Sequence, residues 1–303
     1  MKILYILGRG RGGSTVLANV LGEIDGFFSA GEVRYLWDPV VVRQSPCGCG
    51  APIGECALWS KVLAKLNDVD LDQVVRWQHE IVRESNVFRL IHSGGRRRWP
   101  ALENYAAVTA RLYRTIQEVT GCEVVVDSSK RPSYAAFIKM LDGCEPYFVH
   151  LVRDPRASAY SWHARRYASA HGAEVTRRNA FDSTLRWDLL NLGSEILRSR
   201  STRERFMRLR YEDFAATPLQ SVKDICALID RSQARLPFVD DRTVELNPNH
   251  TIAGNPSRFA TGRLVLKDSG EWYQRQRRWS QWVATAVALP LLRRYGYGLR
   301  PHG

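Results

Sequence analysis

Apolar residues cluster along this chain in two kinds of pattern. Ile3–Leu7, Cys122–Asp127 (CEVVVD) and Pro146–Val152 (PYFVHLV) are short, nearly unbroken runs. Such runs fit parallel strands buried on both faces rather than half-exposed strands, which alternate. Arg205–Phe214 (RFMRLRYEDF) reads as a fourth strand. Between the runs, apolar residues fall at helical spacing over Val16–Leu21, Leu58–Leu66, Leu71–Glu84, Leu102–Thr120, Phe181–Arg200 and Pro218–Ile229, and a closing helix spans Trp272–Leu292. Arg231–Pro256 reads as a polar connection, and there is no internal repeat or low-complexity linker. Strands alternating with helices predict an α/β architecture.

Composition narrows the partners. The chain has 303 residues and a net charge of +13, most of the excess being arginine. That balance favours nucleotide phosphates, nucleic acid, acidic substrates or a membrane surface, and arginine suits planar recognition of phosphate and sulfate. A generally basic surface would give the same count. Lys2 leads directly into a strand without a signal peptide, and the apolar stretch Trp282–Leu292 is too short to span a bilayer. A cytoplasmic protein without membrane insertion is expected, its six cysteines reduced.

The candidate chemistry begins after the first strand, at Gly8-Arg9-Gly10-Arg11-Gly12-Gly13-Ser14-Thr15. A glycine-rich turn between strand and helix aims backbone amides and a helix N-terminus at a phosphate, and Ser14 and Thr15 can cap the helix or donate to the anion. Gly8 and Gly13 have nucleotide-kinase spacing, but Ser14 stands where that motif needs lysine. Gly8, Gly10 and Gly13 also spell the dinucleotide fingerprint, with Glu32 about 20 residues on. A second polar segment, Asp127-Ser128-Ser129-Lys130, follows the second strand; Asp127 reads as a cap for that turn in preference to a magnesium ligand. The third strand runs into Arg153-Asp154-Pro155-Arg156, with Asp154 as N-cap and Pro155 in the first helical turn. Ser161 and Arg165 share one face of that helix, so Arg153, Ser161 and Arg165 make a compact anion pocket that a dinucleotide enzyme has no need of.

These segments together resemble the sulfotransferases that use 3′-phosphoadenosine-5′-phosphosulfate (PAPS). Gly8–Thr15 is similar to their 5′-phosphosulfate loop, and Arg153–Ser161 to their 3′-phosphate segment. Gly31-Glu32-Val33-Arg34 resembles the G-E-x-x-R segment of the tyrosylprotein-sulfotransferase-like branch, and Tyr211-Glu212-Asp213 and Gly254-Asn255-Pro256-Ser257-Arg258-Phe259 resemble further family segments. The resemblance implies one P-loop-type α/β domain over residues 1–303, a three-layer fold with a central parallel sheet and helices on both faces. It implies transfer of a sulfuryl group from PAPS to an acceptor hydroxyl, leaving 3′-phosphoadenosine-5′-phosphate. Gly10, Arg11, Gly12, Gly13, Ser14 and Thr15 would hold the 5′ end, and Arg153, Ser161, Arg165, Tyr211, Arg258 and Arg263 the rest of the nucleotide. Arg11 and Lys130 would neutralise the departing charge, and Glu32 would be the base. Glu32 could instead pair structurally with Arg34 or Arg11. Gly12 departs from the family by lacking a hydroxyl. A small-molecule acceptor, without nucleic acid, is expected; the stretches shaping its pocket, Tyr35–Trp59 and His92–Tyr105, carry no recognisable code, and the oligomeric state is open. The rivals are an NAD(P)-dependent oxidoreductase and a non-enzymatic polyanion binder.

Cys47, Cys49 and Cys56 fall within ten residues. Zinc needs four ligands, and no histidine is near in sequence, so these read as buried free thiols and no metal is expected. Among the histidines, His150 within a strand reads as structural, and His163 is a reserve candidate for the base.

Overall fold

The computed structural model describes residues 1–92, 99–164, 178–268 and 270–300. At its centre lie β1 (Lys2–Gly8), β2 (Phe27–Gly31), β3 (Val124–Lys130), β4 (Glu145–Val152) and β5 (Phe206–Arg210), in the order β2-β3-β1-β4-β5. Every neighbouring pair is parallel. Because strand side chains alternate, the continuous apolar runs feed two cores. Ile3, Tyr5, Leu7, Val125 and Phe148 face one side, under the helices Pro100–Thr120 and Pro132–Ile138. Leu4, Ile6, Val124, Val126 and Val149 face the other, under the first helix Ser14–Gly22 and the helix Pro218–Leu228. Fully burying each such side chain is worth about 1.5–3 kcal/mol, so both faces of the sheet need their helical cover. The expected layers, helices on both faces of a parallel sheet, are therefore present.

Five elements differ from expectation. β2 (FFSAG) was not anticipated; three of its five residues are small or polar-small. β3 continues past Asp127 to Lys130, its pairing with β1 shifting by one residue on the way, from Tyr5↔Asp127 to Leu7↔Lys130. β5 stops at Arg210 and a helix begins at Tyr211, where Glu212 and Asp213 suit the positive end of a helix. The polar connection contains β6 (Thr243–Leu246), which pairs antiparallel with β7 (Gly262–Val265). The closing helix is broken into Glu271–Arg275, Arg278–Val287 and Leu289–Arg294, with Gln276 and Arg277 extended between the first two.

All five central strands run the same way, so their carboxyl ends share one rim. That rim is where open α/β sheets bind ligands.

Candidate functional site

Each of the five strand ends supplies one piece of the rim. After β1, the turn closes with the Gly12 amide donating to the Arg9 carbonyl at 3.0 Å. Gly13 is the N-cap of the first helix, with φ 94°, and makes no side-chain cap. Ser14 and Thr15 therefore do not cap the helix; they lie buried in its first turn. The amides of a first turn have no intrahelical carbonyl to bond, which leaves them for an anion. Gly13 must also be glycine for space, since a Cβ there would run into the ring of Tyr211. Arg11 holds a left-handed backbone at φ 73°, a strained state for a residue with a side chain.

Two parts of this turn escaped the sequence reading. Trp162, on the helix Pro155–Ala164, donates Nε1 to the Gly10 carbonyl at 3.1 Å, and Arg9 and Arg11 stack on its ring at 4.6 and 5.5 Å. Arg9 is itself buried, and its Nε and Nη2 have no hydrogen-bond partner among the described residues. Burial, then the nearby cations Arg131, Arg178 and Arg186, push its guanidinium down to about 9. Asp182, paired with Arg178 and Arg186, offsets part of that fall, and the unpartnered nitrogens are where an anion could be received. The second arginine in a glycine turn was the signal that could have found it.

Glu32 follows β2, and Lys130 ends β3. The Lys130 ammonium lies 2.5 Å from Glu32 Oε1, with the two side chains only 14% and 10% exposed. Lys130 also donates to the Ser128 carbonyl at 3.1 Å. Its φ of 71° makes it a second strained non-glycine residue on the rim. Asp127 sets this pair in place. Its buried carboxylate accepts the Ser129 amide at 2.8 Å, the Ser129 hydroxyl at 2.5 Å and the Tyr113 hydroxyl at 2.5 Å. Ser129 Oγ in turn accepts the Arg34 amide at 3.0 Å, so the segment after Glu32 is tied to the segment before Lys130. Burial pushes the Asp127 carboxyl up to about 6 against those hydrogen bonds. This is the turn-capping role expected of it.

Arg153 follows β4. Its Nη1 donates to the Arg11 carbonyl at 3.2 Å, its Nη2 meets Asp268 at 3.3 Å, and its guanidinium lies 4.4 Å over the Tyr211 ring at the end of β5. Asp154 caps the next helix as expected, accepting the Arg156 amide at 2.8 Å, and also binds the Arg156 guanidinium. Ser161 is half-buried on that helix, next to Trp162. Arg165 lies outside the described residues.

The strap Asn249–Phe259 closes over the rim. The Ile252 amide donates to Ala30 O at 3.0 Å, and the Glu32 amide donates to Ile252 O at 2.9 Å. Gly254, at φ 95°, sits so close that a Cβ would lie 3.4 Å from Glu32 Oε1 and 3.6 Å from Thr15 Oγ1. Arg258, expected on the nucleotide, points inward instead. It is 1% exposed and donates to the carbonyls of Gly254 and Pro46 at 3.3 and 3.0 Å. Arg263 is exposed on β7, where it pairs with Glu245 at 3.3 Å. The adjoining Asn247 binds Glu23 past the carboxyl end of the first helix. The glycine turn is at the helix's other end, about 13 Å away along nine residues.

His150 is buried, with Nε2 2.7 Å from Asn191 Oδ1, and burial pushes it down to about 4; the structural reading fits. His163 is exposed. Cys47 and Cys56 are buried and Cys49 exposed, and His250 arrives beside them from far along the sequence.

The strand order bears on the dinucleotide reading. There β2 adjoins β1, which brings its terminal acid to the ribose. Here β3 separates them, and Glu32 is engaged by Lys130.

A model of the sulfotransferase family matches residues 4–234. The chain belongs to the sulfotransferase family. Among solved structures it is similar to the sulfotransferase domain from the curacin biosynthetic pathway, with a TM-score of 0.57 and 16% identity over 99% of each chain. It is also similar to the sulfotransferase domain of the Synechococcus PCC 7002 olefin synthase, with a TM-score of 0.54 and 16% identity over 99% of this chain and 96% of the other. At that identity these two neighbours speak for the fold. No curated protein sequence matches the chain. A sulfotransferase moves a sulfuryl group to an acceptor, and the rim presents cations, a carboxylate and helix amides. No described helix is long and apolar enough to cross a membrane.

Proposed function

We propose that this sulfotransferase takes its sulfuryl group from PAPS and delivers it in line to an acceptor hydroxyl, with Glu32 as the base. The observation that carries the reading is the Lys130–Glu32 pair, 2.5 Å apart beside the glycine turn. In this reading a cation for a departing phosphate oxygen would stand one hydrogen bond from a carboxylate for an incoming hydroxyl. The donor fits the residues present. Buried, unpartnered Arg9 nitrogens and the uncapped first helical turn call for an anion at one end. Arg153, whose Nε is buried and unpartnered among the described residues, calls for one at the other.

When bound, PAPS would supply an activated sulfuryl group. The chain's own residues would do the rest by positioning and electrostatics, as in phosphoryl transfer. The Gly10–Thr15 turn and Arg9 would hold the 5′ end, with Arg11 and Lys130 countering the negative charge that grows as the sulfuryl leaves. Arg153 and Ser161, joined by Tyr211, would hold the 3′-phosphate side. Glu32 would accept the hydroxyl proton. Arg258 is better read as a strut for the strap than as a phosphate ligand, and Arg263 as a surface ion pair.

Calorimetric titration with 3′-phosphoadenosine-5′-phosphate, ATP with magnesium, and NADP tests the donor. Binding of the bisphosphate in preference to the others is expected, together with turnover of PAPS when a hydroxyl acceptor is supplied. Selective binding of NADP would overturn the reading.

A further inference from the structure

Outside the rim, the fold gathers a second set of reactive side chains. Cys47, Cys49, Cys56 and His250 bring their Sγ and ring-nitrogen atoms within 4.8 Å of one another. Cys56 Sγ lies 3.5 Å from Cys47 Sγ, 3.8 Å from Cys49 Sγ and 3.2 Å from His250 Nδ1, and Cys47 Sγ is 3.7 Å from the same nitrogen. Tetrahedral zinc with Zn–S near 2.3 Å and Zn–N near 2.0 Å requires S···S edges of about 3.8 Å and S···N edges of about 3.5 Å. The four measured edges fall around those values. They are too long for a disulfide, whose sulfurs are about 2.05 Å apart.

We infer that Cys47, Cys49, Cys56 and His250 bind one structural zinc ion. Three thiolates and an imidazole suit zinc among the abundant divalent metals, and four protein ligands leave no open position for catalysis. The local cysteine pattern holds only three ligands; the fourth, His250, lies 194 residues beyond Cys56.

The backbone around the cluster is built as a clasp. The Cys47 amide donates to Ala51 O and the Gly50 amide to Cys47 O, which folds the first two cysteines into a tight turn. The Gly48 amide donates to Thr251 O at 2.8 Å, and Trp59 Nε1 to His250 O at 2.7 Å. The cluster thus joins Pro46–Trp59 to the start of the strap. Two residues past His250, Ile252 pairs with β2, and two further on Gly254 lies against Glu32. The ion fastens the strap that covers the proposed base. This inference stands on the cluster alone and does not depend on the identity of the sulfuryl donor.

The test is metal analysis of the full chain purified without chelator, with cobalt(II) as the probe on the reduced, metal-stripped protein. About one zinc per chain is expected, with cobalt giving the strong visible bands and sulfur-to-metal charge transfer of a tetrahedral thiolate site. Cys49→Ser, at the exposed position, should lower retained zinc at least about tenfold and weaken the charge-transfer band. Negligible zinc together with no thiolate–cobalt band in the wild-type chain would overturn the inference, whether or not any variant folds. So would a disulfide joining two of Cys47, Cys49 and Cys56, found by peptide mapping of the denatured, unreduced protein.

Discussion

Two segments close on the Lys130–Glu32 pair, and they are held by opposite means. The turn Gly8–Thr15 is placed first by its immediate neighbours in sequence: β1 enters it, the first helix leaves it, and the sheet register fixes both, with Trp162 and Arg153 adding bonds to the Gly10 and Arg11 carbonyls. The strap Asn249–Phe259 has no strand of its own in the sheet. It is placed by distant partners: Ala30 and Glu32 on the β2 side, Asn19 on the first helix, and Pro46 through Arg258. On the proposed function, the turn would carry anion-binding chemistry in its own residues, whereas the strap would work by where it lies. Substitutions in the two should therefore fail differently, the first in binding or chemistry and the second in positioning.

The largest effect should come from the pair between them. Glu32→Gln is expected to lower kcat about 10²–10⁴-fold, the usual worth of a general base, while calorimetry shows 3′-phosphoadenosine-5′-phosphate affinity nearly unchanged. An equal loss of nucleotide binding would move Glu32 from the acceptor side of the rim to the nucleotide side. Next in size, Arg153→Ala removes a charged contact worth about 1.5–3 kcal/mol, so bisphosphate affinity should fall roughly 10–150-fold. Its remaining links to Arg11 O and Asp268 make some local loosening part of that loss.

Gly254→Ala probes the strap alone. Its φ of 95° is costly for a residue with a Cβ, and relieving it would shift the backbone beside Glu32 and Thr15, which the methyl itself meets only at ordinary contact distance. Forcing a side chain into left-handed backbone costs about 1–2 kcal/mol, so kcat/KM should drop about fivefold to thirtyfold. Bisphosphate affinity should change far less than in Arg153→Ala. If the two variants lose nucleotide equally, the strap is a binding element and the contrast fails.

How much of this was legible in the sequence follows the same division. β1, β4, the glycine turn, Glu32, Lys130 and Arg153 could be found because a buried strand and the polar residues at its end are contiguous. β2 was hidden by small residues, and the β6–β7 hairpin by its polar setting. The helix starting at Tyr211 was masked by the strand running into it. The contacts of Arg258 and His250 are not encoded locally: their partners lie 212 and 194 residues away. Trp162 looked like an ordinary helix aromatic until the turn of β1 was folded against it.

The smallest predicted effect has two signs, and that makes it the sharpest probe of the turn. Arg9 is a buried cation without a hydrogen-bond partner for Nε or Nη2 among the described residues, and other guanidiniums stand nearby. With its guanidinium pushed down to about 9, the folded chain holds that proton less tightly than the unfolded chain does. The charge therefore costs stability at neutral pH, and the cost shrinks as pH rises through about 9. Arg9→Met keeps much of the packing on Trp162 and removes the charge. In thermal or urea unfolding at neutral pH it should raise the stability of the ligand-free protein by about 1 kcal/mol, a gain that narrows at alkaline pH. The same variant should bind the bisphosphate more weakly, so saturating nucleotide should stabilise it less than it stabilises the wild type. A variant destabilised without ligand would show that Arg9 holds the fold together. One stabilised with nucleotide affinity intact would show that the anion sits elsewhere on the rim.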